Sequence, residues 1–375
     1  MKIGIMSMQR VENYGSYLQA YALKKTLENM GNTVEFVDYL PEAPVAQAAK
    51  KQQSGISRSM LRRVLNMLSP SYRAWRRMQI YSNRTFSTFA RTYRGQWLPM
   101  LGVPAHPNYL PQLDVLVIGS DEVFNCTQEE RQIGFSRQLF GKDNHAKRLI
   151  SYAASFGSTS LKKIEEYQIE KELASLLKNF DRISVRDENS AQLVRTLVGC
   201  KAPIHIDPVL LYPFPEIKQY EITMKDYIIV YAYAGRLTQD EIQGIKCFAQ
   251  KKGKKLVSLG FWQSFCDDYV LASPLEVLAY IGHADYVLTD TFHGTVFSMV
   301  NQVPFGTFIR ESNQQKLSSL LRQFGLEDRE IKNPMDLDRF FQKPIDYEAL
   351  QRKLQKERTA AMTYLYSSLD GIEPN

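Results

Sequence analysis

The chain has 375 residues, enough for roughly two domains. It is 44% hydrophobic and 23% charged, which excludes a disordered chain, a collagen and a disulfide-stapled miniprotein. The formal charge of +7 is unevenly held: no acidic residue stands between Glu42 and Asp114, and the eleven Lys and Arg of that gap leave the remainder at −4.

Cys126, Cys200, Cys247 and Cys266 form no CxxC pair, so they read as reduced thiols rather than zinc ligands. No apolar run approaches the roughly 20 residues of a membrane span. The start, MKIGIMSMQR, reads as a strand rather than a secretory leader. A cytoplasmic protein is therefore expected, soluble or peripheral at the inner face of the plasma membrane.

Residues 2–7 and 33–39 read as strands around a helix at 14–30, whose Leu23, Leu27 and Met30 stripe stops at Gly31. Together they make a βαβ unit. An insertion at 41–112 follows, rich in proline, with helical stretches near 56–68 and 71–92. Met60, Val64, Leu65 and Leu68 fall on one side of the first stretch, with Arg62 and Arg63 on the other. Its basic residues, 50–94, suit a solvated hairpin, a face for anionic lipid headgroups or a nucleic-acid surface. Confinement of the charge to one insertion speaks against nucleic acid. Apolar runs at 114–120, 148–155 and 182–187 suit parallel strands buried on both faces, with a charged helix at 160–180. The segment 203–211 completes a first half.

Pro213 and Pro215 mark a linker. The second half restarts with strands at 226–233, 254–260, 285–290 and 304–309, alternating with helices at 238–252, 273–283 and 294–301. An amphipathic helix at 345–368 ends the pattern. The expected fold is α/β: two doubly wound, Rossmann-like domains, 1–212 and 213–375. The ligand is expected in the cleft at the carboxyl ends of the strands.

The chain carries no GxxxxGK[ST], no GxGxxG after a strand and no HExxH. These absences count against a P-loop NTPase, a dinucleotide enzyme and a zinc hydrolase; no metal and no cofactor are expected. The most informative segment is YVLTDTFHGTVFSMV, 286–300. A strand ends at Thr289 and a helix is expected near Gly294, so Asp290, Thr291 and His293 fall in the turn. A helix N-terminus there offers N–H groups to an anion, His293 can carry a proton, and Gly294 lets a ligand approach the backbone. A capping turn made by Asp290 and Thr291, with His293 merely packed, is the plainer reading. Other strand ends supply Asn13, Tyr14, Gly15 and Gln19; Ser120, Asp121 and Asn125; Arg186 beside Asp187, a clamp for a carboxylate or phosphate or a local ion pair; and Arg236. His205 reads as packed in a strand.

Six segments occur in one order: NYGSYLQAYAL, DVLVIGSDEVFN, ISYAASFG, ISVRDENS, HIDPVLL and TDTFHGTVFSMVNQVPF. Together they resemble the polysaccharide pyruvyl transferase family over nearly the whole chain apart from the insertion. The resemblance implies a two-domain, GT-B-like fold. It also implies transfer of pyruvate from phosphoenolpyruvate to a sugar of a bacterial surface glycan, often lipid-linked, as a cyclic ketal. On that basis His293 is the catalytic residue. Arg186, Arg236, Asp290, Thr291 and Gly294 bind the donor, with the second domain as the donor side. Asn13, Tyr14, Gln19, Ser120, Asp121 and Asn125 of the first domain face the acceptor sugar. The basic insertion suits an acceptor held at a membrane. One departure stands out: many members carry Arg two residues before the catalytic His, where this chain has Thr291, so that donor contact is either missing, with a changed donor, or supplied by Arg186, Arg236 or Arg310. A nucleotide-sugar glycosyltransferase on the same fold and a non-catalytic glycan-assembly protein are the alternatives.

Overall fold

The computed structural model describes residues 1–45, 70–109, 111–128 and 135–371. The first sheet is built from β1 (Lys2–Met6), β2 (Thr33–Phe36), β3 (Val115–Asp121) and β4 (Arg148–Ala154) in the order β2-β1-β3-β4. All its pairs are parallel. Val115, Val117 and Ile118 are wholly buried. A central parallel strand covered on both faces requires this, and each such side chain contributes about 1.5–3 kcal/mol of apolar burial.

Helix α1 (Tyr14–Asn29) connects β1 to β2, and α2 (Pro70–Thr92) lies in the insertion. The helix expected at 56–68, with Arg58, Arg62 and Arg63, lies outside the described residues. Phe89, Tyr93 and Trp97 bury one face of this region. Phe89 and Trp97 meet the Tyr14 ring at 5.1 and 5.6 Å. Arg84, Arg91 and Arg94 stay exposed on the outer face. At its middle α2 reaches the second half, where Tyr81 packs on Trp262 at 4.7 Å.

The charged helix expected at 160–180 is two helices, α3 (Leu161–Glu166) and α4 (Glu170–Leu177). They are broken where Gln168 takes a left-handed backbone, φ 57°. The strands expected at 182–187 and 203–211 survive only as isolated parallel bridges at Arg182, Val185 and Ile204. Caps cut both short: Asp187 starts α5 (Glu188–Val198), and Asp207 starts a helical turn at Pro208–Leu211.

The second sheet is again parallel, in the order β7-β6-β5-β8-β9. Its strands are β5 (Tyr227–Tyr231), β6 (Lys255–Leu259), β7 (Asp268–Val270), β8 (Tyr286–Thr289) and β9 (Phe305–Thr307). Helices α6 (Gln239–Lys252), α7 (Pro274–Gly282) and α8 (Phe292–Asn301) alternate with them, and α9 (Gln314–Phe324) follows β9. Neither β7 nor α9 was expected from the pattern.

The last helix, α10 (Tyr347–Leu369), was expected with the second half but returns to the first. The Tyr364 hydroxyl donates to the Ser151 carbonyl at 2.8 Å, and Arg358 Nε to that of Leu210 at 2.7 Å. No helix among the described residues is long and apolar enough to cross a membrane.

Candidate active site

A cavity of about 280 Å³ opens between the carboxyl ends of the two sheets, with walls from both halves. From the second half comes His293. Thr291 is the N-cap of α8, its Oγ1 accepting from the Gly294 N–H at 2.9 Å. The helix therefore starts at Phe292 rather than 294, and His293 sits in its first turn, not in the loop before it. Gly294 does not line the cavity. Its glycine is needed because a Cβ there would collide with Thr289 Oγ1 and close on the Tyr231 ring; the requirement is helix-on-sheet packing, not ligand approach.

The His293 ring crosses to the first half. Its Nε2 lies 3.5 Å from Asp207 Oδ2, too long for a hydrogen bond but a direct electrostatic contact. Its Nδ1 occupies the notch left by the missing side chain of Gly15, where a Cβ would stand 2.1 Å away. Asp207 is buried, accepts from the Val209 N–H at 3.0 Å and takes Arg186 Nη1 at 2.7 Å. Burial would raise its pKa, but His293 and Arg186 outweigh that and hold it at about 2. The carboxylate thus stays charged beside the imidazole.

Arg186 is buried over the Phe292 ring at 4.4 Å, with Asp121 at 3.6 Å as a second carboxylate. Its neighbour Asp187 is not its partner; that side chain caps α5 through the Ser190 N–H at 2.8 Å. Asp121 ends β3 with a left-handed backbone, φ 75°, a strain of roughly 1–3 kcal/mol that tends to gather at functional sites. Its carboxylate accepts from Ser16 Oγ at 2.9 Å. Asn13 lines the cavity and caps α1 by accepting from the Ser16 N–H at 2.7 Å. Asn125 also lines it and donates to Glu122 at 2.8 Å. Glu122 pairs across the cleft with Lys316 of α9. Burial works against the charged form there too, but Lys316 prevails and holds Glu122 at about 2.

Arg236 lines the cavity, its Nε 3.2 Å from Asp290 Oδ2 and its Nη2 donating to Ser312 Oγ at 3.1 Å. Asp290 itself lies behind that wall, fully buried, and also accepts from the Tyr233 N–H at 3.1 Å. Three expected acceptor residues likewise lie behind the surface rather than on it. The Tyr14 hydroxyl donates to the Ala272 carbonyl at 2.7 Å, tying the halves together. Gln19 donates to Ser7 Oγ at 2.9 Å and accepts from Ser120 Oγ at 3.0 Å. Each is consumed by a buried hydrogen bond and supports the site indirectly. Arg310 does not line the cavity; Glu241 holds it bidentately at 2.7 Å.

The structure thus brings His293, Arg186, Arg236, Thr291, Asn13, Asp121 and Asn125 to one cavity. It adds Glu122 and Lys316 on the wall and, buried behind it against His293 and Arg186, Asp207; sequence reasoning singled out none of the three. The Asp-Pro of HIDPVLL was a legible helix-start signal that could have marked Asp207. Nothing local marked Lys316, which a distant helix delivers. Among the described residues no cluster of three or more His, Cys, Asp or Glu is placed to hold a metal ion.

A family model described as polysaccharide pyruvyl transferase matches residues 13–312. Among curated proteins, no relative matches. Among solved structures, a UDP co-structure of MnaA from S. aureus is 9% identical, with 100% of this chain and 99% of that one covered and a TM-score of 0.49. The UDP-GlcNAc 2-epimerase of Methanocaldococcus jannaschii, in complex with UDP-GlcNAc and UDP, is 11% identical, with 97% and 100% covered and a TM-score of 0.43. The spinosyn rhamnosyltransferase SpnG is 13% identical, with 99% and 96% covered and a TM-score of 0.41. Likeness at this level says nothing of substrate.

Proposed function

The chain belongs to the polysaccharide pyruvyl transferase family, and from that membership we propose that it transfers the pyruvyl group of phosphoenolpyruvate to two hydroxyls of a glycan sugar, closing a cyclic ketal. The observation that carries the reading is the pairing of His293, which lines the cavity from one half, with the buried, ionised Asp207 of the other.

The donor presents a carboxylate and a phosphate. Arg186, Arg236 and Lys316 are the cations on the cavity wall. Each already faces a carboxylate: Asp207 and Asp121, Asp290, and Glu122 respectively. They are thereby fixed in direction before the donor arrives. Arg236 and Lys316 therefore take the place of the arginine that Thr291 lacks. In the reaction, protonated His293 gives its proton to the methylene carbon, which becomes a methyl. One sugar hydroxyl bonds to C2, the C2–O bond to phosphate breaks, and a second hydroxyl closes the ring. Of the two hydroxyl protons, one replaces that delivered to carbon and the other leaves on the phosphate. Asp207 stabilises the imidazolium on either side of the transfer.

A nucleotide-sugar donor is the weaker reading. About 280 Å³ lies at or below the small end of ligand pockets, roughly 300–1,000 Å³, which leaves little room for a base, a ribose and a diphosphate beside an acceptor. The acceptor in this reading is a lipid-linked oligosaccharide, and the outer face of α2, with Arg84 and Arg91 exposed, meets an anionic membrane. The test is transfer of the label of 3-¹³C-phosphoenolpyruvate into a glycan fraction. A ketal methyl resonance should grow with the wild-type protein and not with His293→Ala. Equal labelling by both proteins would remove His293 from the chemistry.

A further inference from the structure

The catalytic cavity is not a closed end. A larger groove of about 490 Å³ adjoins it and shares Ser312, Asn313 and Lys316 with it. One wall is the first half's turn at Gly157–Ser160 with Lys163; the other is the second half's Glu311–Lys316. We infer that this groove is an oligosaccharide subsite, which holds the sugars attached to the one being pyruvylated. The inference rests on the pyruvyl-transfer reading above and specifies its acceptor: a chain of several sugars rather than a free monosaccharide.

Size gives the first argument. The cavity at about 280 Å³ is small even for one ligand, yet the reading requires donor and acceptor sugar together. Anything attached to that sugar must leave the cavity, and the groove, which shares the Ser312, Asn313 and Lys316 wall, is the adjoining space.

Chemistry gives the second. Among the described residues the groove is lined by hydroxyls, carboxamides, two amines and one carboxylate, with no aromatic or aliphatic side chain. A nucleobase would find no ring to stack on, and a lipid tail no aliphatic side chain to pack against. Lys316 serves the donor in the cavity beside Glu122, and the remaining Lys163 and Glu311 are opposite in sign. No net positive charge is left for a diphosphate. A neutral, hydroxyl-rich chain matches the donors and acceptors that remain.

The third argument is that the walls are built, not loose. Asn313 is buried; it donates to the Asp290 carbonyl at 2.7 Å and accepts from the Arg310 N–H at 2.8 Å. Opposite, Gly157 has φ 56°, and a Cβ there would run into Glu122 and Asn125. The turn is thereby seated on the catalytic wall itself, and its next residue but one, Thr159, donates to Asn125 at 3.0 Å. The first-half turn is thus tied to groups that line the cavity, and the second-half wall shares Ser312, Asn313 and Lys316 with it, so sugars in the groove would be held in fixed register with His293.

The experiment uses a glycan acceptor that supports phosphate release from phosphoenolpyruvate, together with its fragments from graded mild-acid hydrolysis down to the single sugar. Two full-length variants are compared with wild type: Ser158→Trp, which plugs the groove from an exposed position, and Gln315→Ala, which removes one exposed carboxamide. The expected result is a kcat/KM at least ten-fold higher for the long acceptor than for the single sugar in the wild type, carried mostly by KM. Ser158→Trp should erase that preference and Gln315→Ala reduce it, while both leave the single-sugar rate within two-fold. Equal kcat/KM at every length, or a plugged variant that keeps the full preference, overturns the subsite. Absence of phosphate release with every acceptor is a distinct failure, since it removes the pyruvyl-transfer reading and the subsite with it.

Discussion

Replacing Gly15 by alanine should cost turnover while sparing the fold. The new Cβ would stand 2.1 Å from His293 Nδ1 and 2.5 Å from Cγ. Restoring an ordinary contact of 3.4 Å requires the ring to retreat by about 1.3 Å. What must move is a side chain pivoting on its own rotamer, not backbone. Helix α1 for its part gains up to about 1 kcal/mol from Gly→Ala. Global stability should then change by less than about 1 kcal/mol in either direction. A displacement of about 1 Å in a catalytic group costs on the order of 10²-fold, so kcat should fall by that factor with KM for phosphoenolpyruvate nearly constant. Phosphate release under saturating donor reads kcat, and urea unfolding reads stability. Gly95→Ala is the control, because nothing lies within 4 Å of its Cβ position, and it should behave as wild type. A Gly15→Ala protein of normal stability and undiminished kcat would refute the idea that His293 works from this notch.

Asp207→Asn leaves Arg186 buried with half its compensation, so unfolding in urea should show a loss of about 3–5 kcal/mol, and turnover should fall at least 10²-fold in the protein that remains folded. Arg236→Ala and Lys316→Ala should each raise KM for phosphoenolpyruvate more than they lower kcat, whereas Arg310→Ala, whose guanidinium is engaged by Glu241, should leave KM unchanged; an Arg310 effect as large as the other two would contradict the assignment. His205 is buried between Tyr152 and Tyr364, and burial lowers its pKa to about 4. The unfolded chain takes up that proton first, near pH 6.5, so stability present above pH 6.5 should be lost as pH falls toward 4, by roughly 2–3 kcal/mol. In His205→Phe the thermal midpoint should stay flatter across that window. Arg84→Ser with Arg91→Ser should weaken binding to vesicles containing phosphatidylserine by roughly 1 kcal/mol per charge; unchanged binding would remove α2 from the membrane contact.

Periodicity made the framework legible. Buried runs such as 114–120 and the stripe of 14–30 lie close to the observed elements because continuous apolar runs and 3.6-residue spacing have few other solutions. The segments 182–187 and 203–211 went further from expectation. Their strand-like residues are real, but Asp187 and Asp207 turn the chain into helix after one or two bridges, and a cap competes locally with a ladder. Strand ends also pointed to the sheet edge where the cavity opens, which is why His293, Arg186 and Asp121 of that reading line it. Which of the neighbouring polar residues face the cavity was not legible. Gln19 and Ser120 bond each other in the interior, and that pairing spans a hundred residues. Lys316 and Asp207 enter the site only because two halves meet. Gly15 shows the same limit: a glycine in a helix signals a close approach, but only the folded molecule names the His293 ring as what approaches.

The most direct measurement is acceptor-dependent phosphate release from phosphoenolpyruvate by the wild-type protein and by His293→Ala, with UDP- and TDP-sugars offered in parallel. The account predicts release with phosphoenolpyruvate alone among these donors, dependent on glycan, and reduced at least 10²-fold in the variant. Turnover of a nucleotide sugar with no phosphate from phosphoenolpyruvate, or a His293→Ala protein as active as wild type, would contradict it.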